Sequence, residues 1–322
     1  MIKYATKDRV DPVTGESAPV TLGHEFSGTI VETPPDVDAG KWAVGTNVVI
    51  EPIFGCMKTD NCYNCSHDLP TTCPDMNFIG IGGWGGGLSE YIAVDTRFLH
   101  VLPSHVSLEV GACIEPLAVA WYAVKRSGFK PGDSALILGA GPIGLFLLKV
   151  LRSFSTTSLV VISEPAALRR QIAVEHGATL TLDPTDSRVN AHKEIIKATG
   201  GAGTDIVFDA AGVQAGWDLG MRAVRSRGTI VNVAIWETDV QVNMNLLLSK
   251  EIFVTGTSAY DRIHSEVLEA VAAGKILGIE KLITRKIAIE DVVEKGFKTL
   301  LADKDSQVKI LVRPGSLLPS VL

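Results

Sequence analysis

Residues 134–153 read SALILGAGPIGLFLLKVLRS: an apolar run, three closely spaced glycines, then a second and longer apolar run. The first run is a buried strand, the glycines make a turn, and the second run opens a helix. Gly139, Gly141 and Gly144 form GxGxxG, with Pro142 and Ile143 in the variable positions. In the setting of strand, turn and helix this spacing reads as a dinucleotide-binding loop, against the competing reading of a plain strand–turn–helix. The first glycine permits the tight turn, the second lets the backbone approach a pyrophosphate, and the third lets helix pack on strand. The helix N-terminus adds partial positive charge.

The next strand-like run, LVVISEP, ends in Glu164, 25 residues after Gly139. A carboxylate there accepts hydrogen bonds from the adenosine ribose and repels a 2′-phosphate, which favours NAD over NADP. Arg169 and Arg170 lie about a turn further on and leave the phosphorylated cofactor open; Arg169 is counted among the cofactor-binding candidates.

Outward from this loop, the runs AALRRQIAVEHGA, TLTLDP, TDIVFDAAG, GTIVNVAIW and EIFVTGTS alternate helical and strand-like patterns. They predict a doubly wound parallel sheet with helices on both faces. Upstream, GTIVE, NVVIEPI, SEYIAVD and FLHVLP are short, partly alternating β-like runs that predict a small antiparallel sheet or barrel. Downstream, KLITRKIAI and QVKILVRP are strand-like again. The expected organisation is a β-rich domain over 1–116, a dinucleotide domain over 117–257, and a return to the first domain over 258–322.

A net charge of −6, 46% hydrophobic residues and 20% charged residues describe an ordinary globular chain and disfavour nucleic acid or anionic membrane as a partner. The start, MIKYATKDRV, has no apolar h-region, and the longest apolar stretch is interrupted by Gly, Pro and Lys. Neither a secretory leader nor a membrane span is expected, and the chain is placed in the cytoplasm.

Cys56, Cys62, Cys65 and Cys73 are spaced C-x5-C-x2-C-x7-C. Four thiolates so close in sequence can close a tetrahedral structural zinc site, the alternative being ordinary free thiols. His67 lies within the same loop as an exposed histidine or a substitute ligand, and Cys113 reads as a small core residue. VTLGHEFSG, residues 20–28, sets His24 beside Glu25. Neighbours in extended backbone point to opposite faces, so one of the two should reach a metal and the other stand behind it. His24 is the expected ligand. Glu115 precedes Pro116 where the β-rich pattern gives way to the dinucleotide pattern, the junction at which a substrate cleft forms.

Taken together, TLGHEFSG, the four-cysteine lobe, GWGGGLSEYIAV, EPLAVAWYAV, GAGPIG and SEPAALRR run in the order of a known family. The chain resembles the zinc-dependent medium-chain dehydrogenase/reductases, the alcohol and polyol dehydrogenases, over essentially its whole length. Among them it looks most like the 2,3-butanediol dehydrogenases, with the sorbitol, xylitol and threonine dehydrogenases as near neighbours. The resemblance implies a GroES-like catalytic domain around a Rossmann domain, and oxidation of a secondary alcohol or vicinal diol by hydride transfer to NAD. It implies His24 as a catalytic zinc ligand, Glu25 as its companion and Glu115 as a ligand or near-ligand. It also implies a homo-oligomer, a dimer or tetramer.

The cysteine lobe departs from the family spacing C-x2-C-x2-C-x7-C, which makes Cys56 the least secure ligand. Family members also carry a catalytic cysteine, and soon after it a relay serine or threonine, well before the GHE motif. Only 23 residues precede His24, none of them cysteine. The third zinc ligand, the relay hydroxyl and strands that help close the barrel are therefore expected to be missing. The alternatives are an NAD-binding member without dehydrogenase activity and a zinc-free reductase of activated double bonds.

Overall fold

The computed structural model describes Val10, residues 13–15, Ser17, residues 19–58 and residues 60–314. The reading of the first nine residues as leader-free lies outside the described residues. In the β-rich part, β1 (Ser27–Thr29) pairs antiparallel with β2 (Asn47–Ile50). Next, β3 (Ile53–Phe54) enters the cysteine loop, which holds the one-turn helix α1 (Tyr63–Ser66) and returns through β4 (Asn77–Phe78) to pair with β3. Then β5 (Leu99–Val101) comes back to β2, completing a three-stranded antiparallel sheet. The expected strand SEYIAVD is not one: residues 89–95 join no ladder. Alternation alone does not make a strand where no neighbour takes the backbone hydrogen bonds.

A short helix, α2 (Leu108–Gly111), leads into α3 (Ile114–Ser127), which ends at Gly128 with φ 73°. Only glycine adopts that left-handed cap without a Cβ penalty. There follow β6 (Ala135–Leu138), α4 (Pro142–Phe154), β7 (Val160–Ser163), α5 (Ala167–Glu175) and β8 (Leu180–Leu182). The second half of this unit is α6 (Ala191–Ala198), β9 (Thr204–Asp209), α7 (Gln214–Ala223), β10 (Val224–Asn232), α8 (Met244–Lys250) and β11 (Phe253–Gly256). The six strands form one parallel sheet in the order β11-β10-β9-β6-β7-β8. The chain closes with α9 (His264–Ala272), β12 (Ile283–Ala288), α10 (Lys298–Ala302) and β13 (Lys309–Arg313), β12 and β13 pairing in parallel.

Central strand β6 shows why the parallel sheet reads as an unbroken apolar run. Its Ala135 and Ile137 pack into the core beneath α3 and α4, while Leu136 and Leu138 pack into the opposite core with Trp217 and Leu219 of α7. Both faces are dry, so no polar alternation survives. The first of these cores also takes in Val49 and Ile53 of the β-rich part and Tyr260, Ile263 and Val267 near α9. The two parts are thus joined by a continuous apolar seam threaded by α3.

The glycine loop is tight where the sequence says it should be. Gly139 has φ 90°, and a Cβ on Gly144 would lie 2.0 Å from the Gly139 carbonyl oxygen. Gly141 caps α4, Pro142 occupies its first turn, and a Cβ on Gly141 would meet nothing within 4 Å. Gly144→Ala is expected to lower folding stability by about 1–3 kcal/mol, the usual cost of overpacking, whereas Gly141→Ala leaves the thermal melting temperature unchanged.

Candidate functional site

His24, Glu25 and Glu115 come together: one ligand atom from each lies within 4.8 Å of the other two. His24 and Glu25, which extended backbone would point to opposite faces, both reach this cluster, because the chain bends at Glu25 before β1 begins. Behind His24 stands the glycine-rich loop 80–87. Gly87 and Leu88 donate their N–H groups to the carbonyls of Gly23 and Leu22 at 2.7 and 2.9 Å. A Cβ on Gly80 would fall 2.0 Å from the Gly23 oxygen, so this loop must be bare for the two backbones to meet. The His24 ring meets the Phe78 ring edge-on at 5.6 Å. Burial, aided by the charge of Lys309, holds the imidazole down at about 4, so it is neutral and able to donate a lone pair to a metal.

Glu115 sits in the first turn of α3 and is 5% exposed. Burial raises its carboxyl to about 8; the Tyr260 hydroxyl opposes that shift and the Glu51 charge adds to it. Lys309, at the start of β13, pairs with Glu25 and is itself buried, which brings its ammonium down to about 7. Sequence reasoning missed this lysine. Its one signal is a cation opening an apolar strand, and its partner lies nearly the whole chain away.

A second set of polar groups lies behind Glu115. His100 Nε2 is 2.8 Å from Glu51, and His264 Nδ1 is 3.6 Å from the same oxygen. Burial alone would raise the Glu51 carboxyl, but the His100 hydrogen bond and the charges of His264, His100 and Arg262 hold it below its ordinary value. His264 is fully buried, neither ring nitrogen has a hydrogen-bond partner, and burial lowers it to about 4.

The four cysteines cluster as the spacing predicts, Cys56 included. The Cys56 and Cys65 sulfurs are 3.6 Å apart and those of Cys62 and Cys73 are 3.7 Å apart. A tetrahedral ion with Zn–S near ~2.3 Å needs edges of about 3.8 Å, so the thiols are spaced to close on zinc. The Cys65 backbone N–H lowers the Cys62 thiol to about 7. His67 stays outside this group, its Nδ1 2.7 Å from the Tyr63 carbonyl and its ring stacked on Tyr63. Cys113 is a fully buried core thiol, raised to about 12 by burial.

At the switch point between β6 and β9, the space above Gly141 is open at the N-terminus of α4. That is the room a pyrophosphate requires. Glu164 is 4% exposed and accepts N–H bonds from Ala140 at 2.7 Å and Ala166 at 2.9 Å. Arg169 donates to the Gln307 carbonyl, and Arg170 to the carbonyls of Glu164 and Pro165 with an ion pair to Asp183. Asp209, unflagged by sequence reasoning, ends β9 fully buried. It accepts from the Ala211 and Gly212 N–H groups and the Trp236 indole, and so shapes the opposite wall. A separate hollow of about 530 Å³, lined by Trp84, Tyr91 and Phe98 among others, contains none of the clustered ligands.

Residues 142–274 match the family model for the zinc-binding dehydrogenases, and residues 3–104 match the alcohol dehydrogenase GroES-like domain. The (R,R)-butanediol dehydrogenase of Neisseria gonorrhoeae (strain ATCC 700825 / FA 1090) is 41% identical over 311 residues, which span 94% of this chain and 83% of that protein. This chain belongs to the zinc-binding dehydrogenase family. The crystal structure of 2R,3R-butanediol dehydrogenase from Bacillus subtilis superposes with a TM-score of 0.87 at 37% identity, covering 97% of this chain and 86% of that one. A protein from Sinorhizobium meliloti 1021 described as a zinc-binding dehydrogenase, solved bound to NADP, gives 0.82 at 30% identity, covering 92% and 84%.

The dehydrogenase therefore combines a GroES-like part with a Rossmann-type part, and it is a zinc-dependent alcohol oxidoreductase by family. No helix among the described residues is long and apolar enough to cross a membrane. The sealed His264 gives this dehydrogenase an acid-sensitive core. Its imidazole ionises near 6.5 in the unfolded chain and near 4 in the folded one. The unfolded state takes up the proton first, so stability is full above pH 6.5 and falls as pH drops toward 4. A melting-temperature series over that range is expected to decline less steeply in His264→Phe, the difference amounting to about 3 kcal/mol at most.

Proposed function

We propose that this dehydrogenase interconverts a small secondary alcohol bearing a vicinal oxygen with its ketone, 2,3-butanediol and acetoin being the model pair, with NAD as the hydride carrier. The observation that carries the reading is the convergence of His24, Glu25 and Glu115 at the seam between the two parts of the molecule. One imidazole and two carboxylates form a donor set suited to a catalytic zinc with a position left for substrate, and the cysteine lobe is read as the structural zinc site. When bound, the zinc supplies Lewis acidity toward the alcohol oxygen and NAD supplies the hydride acceptor.

The chain's own residues do the rest. His24 offers a neutral nitrogen held by the bare glycine loop, and Glu115 is aimed by α3, whose body packs against α4 of the cofactor loop. Lys309 keeps Glu25 in place, and Glu115 is sealed at the head of the apolar seam. NAD rather than NADP is supported by the Glu164 carboxylate just past β7, whose charge disfavours a 2′-phosphate, although its two oxygens are taken by the Ala140 and Ala166 N–H groups. The commitment of Arg170 to Asp183 and to backbone carbonyls points the same way.

The competing reading, a dinucleotide-binding protein without turnover, draws on the same Lys309–Glu25 pair, which withholds a carboxylate oxygen from a metal. Zinc stoichiometry separates the two: two ions per chain are expected here, one under the competing reading. NAD-linked turnover of 2,3-butanediol is expected to fall about a hundredfold or more in His24→Ala, equivalent to ~3 kcal/mol of transition-state stabilisation, with the thiolate-bound metal retained. Failure of the wild type to turn over any vicinal diol or polyol would overturn the proposal.

A homo-oligomer is part of this reading. At the sheet edge, β11 leaves Phe253 62% exposed and Val254 39% exposed, and such an edge is a place for a second chain to extend the sheet. Light scattering is expected to find a dimer or larger assembly, reduced to smaller species by Phe253→Lys.

A further inference from the structure

Residues 257–263 leave β11 and reach α9 by crossing over the cysteine lobe. They are tied to it at two points. The Ser258 hydroxyl donates to the Thr71 carbonyl at 3.0 Å. Arg262 donates from Nη1 to Asp68 Oδ1 at 2.7 Å and from Nη2 to the Asp68 carbonyl at 3.0 Å. Both anchors on the lobe, Asp68 and Thr71, lie between Cys65 and Cys73.

Three non-glycine residues along the strap and its anchor are left-handed, with φ 49° at Ala259, 45° at Arg262 and 63° at Asp68. Such conformations persist where surrounding contacts over-determine them. Between the two ties stands Tyr260, fully buried and edge-on to His264 at 4.7 Å. It packs in the same core as Ile114 and Leu117, on either side of Glu115, and its buried hydroxyl, which has no partner in full hydrogen-bonding geometry, is among the groups that act on the Glu115 carboxyl.

We infer that the cysteine lobe and the metal centre at Glu115 form one mechanical unit. Ser258 and Arg262 are positioning residues that fasten the 257–263 strap to the lobe, hold Tyr260 against Glu115, and thereby set how tightly that centre keeps its metal. The inference rests on the reading of His24, Glu25 and Glu115 as a metal centre. Outer groups that orient a ligand carboxylate commonly govern metal affinity, and removing them costs about 10- to 100-fold. A tie that served stability alone would change melting without changing that affinity.

The test loads the full chain with cobalt(II), whose intense thiolate charge-transfer bands separate the cysteine site from a nitrogen- and oxygen-ligated one. The dissociation constant of the second, non-thiolate cobalt is measured by chelator competition in wild type, Tyr260→Phe, Arg262→Ala and Arg262→Lys. Tyr260→Phe keeps the ring packing and is expected to weaken that cobalt about tenfold or more, with the thiolate bands unchanged. Arg262→Ala is expected to weaken it in the same direction. Arg262→Lys is expected to recover part of the loss, since an ammonium still reaches Asp68 but cannot grip both of its oxygens as a guanidinium fork does. Equal affinity in wild type, Tyr260→Phe and Arg262→Ala, whatever their melting temperatures, would overturn the coupling. A wild type that binds only thiolate-ligated cobalt would overturn the metal centre itself and the coupling with it.

Discussion

A carboxylate sealed into the first turn of α3 governs how the rest of the molecule is arranged. Glu115 is 5% exposed, and an ionised carboxylate in such a place is costly unless positive charge or hydrogen-bond donors meet it. The helix N-terminus contributes partial positive charge. The Tyr260 hydroxyl and the neutral His24 ring face it, and Lys309 answers the neighbouring Glu25. Under the function proposed above, a divalent cation would supply the remaining positive charge.

Helix α3 makes the centre useful as well as stable. Its first turn presents Glu115 to the β-rich part, while its body lies buried against α4, whose N-terminus opens on the cofactor crevice. A shift of α3 would therefore move Glu115 and the glycine loop together. The same seam binds Val49 and Ile53 to Tyr260 and Ile263 in one apolar core. A dry interior also strengthens every electrostatic contact within it.

Much of this was legible in residue order. GAGPIG between an apolar strand and an apolar helix announced the parallel sheet and the position of the cofactor loop. The cysteine spacing announced the lobe, and the extra residues between Cys56 and Cys62 did not keep the four sulfurs apart. The glycines of GWGGGLSEY were visible as a motif, yet their purpose, backing the His24 peptide, needed the fold. SEYIAVD misled because alternation reports a half-buried segment and says nothing of which neighbour supplies hydrogen bonds. Lys309, Tyr260, His264 and Asp209 carried no spacing signal because each works with a partner remote in sequence.

The sequence by itself determined the class of the molecule: a doubly wound sheet with a glycine turn, a thiolate lobe, and a family whose chemistry is alcohol oxidation. These follow from short-range periods and spacings, set by the geometry of helices, strands and metal tetrahedra. Tertiary structure alone decided that His24, Glu25 and Glu115 share one point in space, that Lys309 stands beside them, and that the cysteine lobe grips the strap carrying Tyr260. The reason is physical. Burial and charge pairing depend on distances between segments far apart in the chain, and residue order constrains those distances only through the packed core.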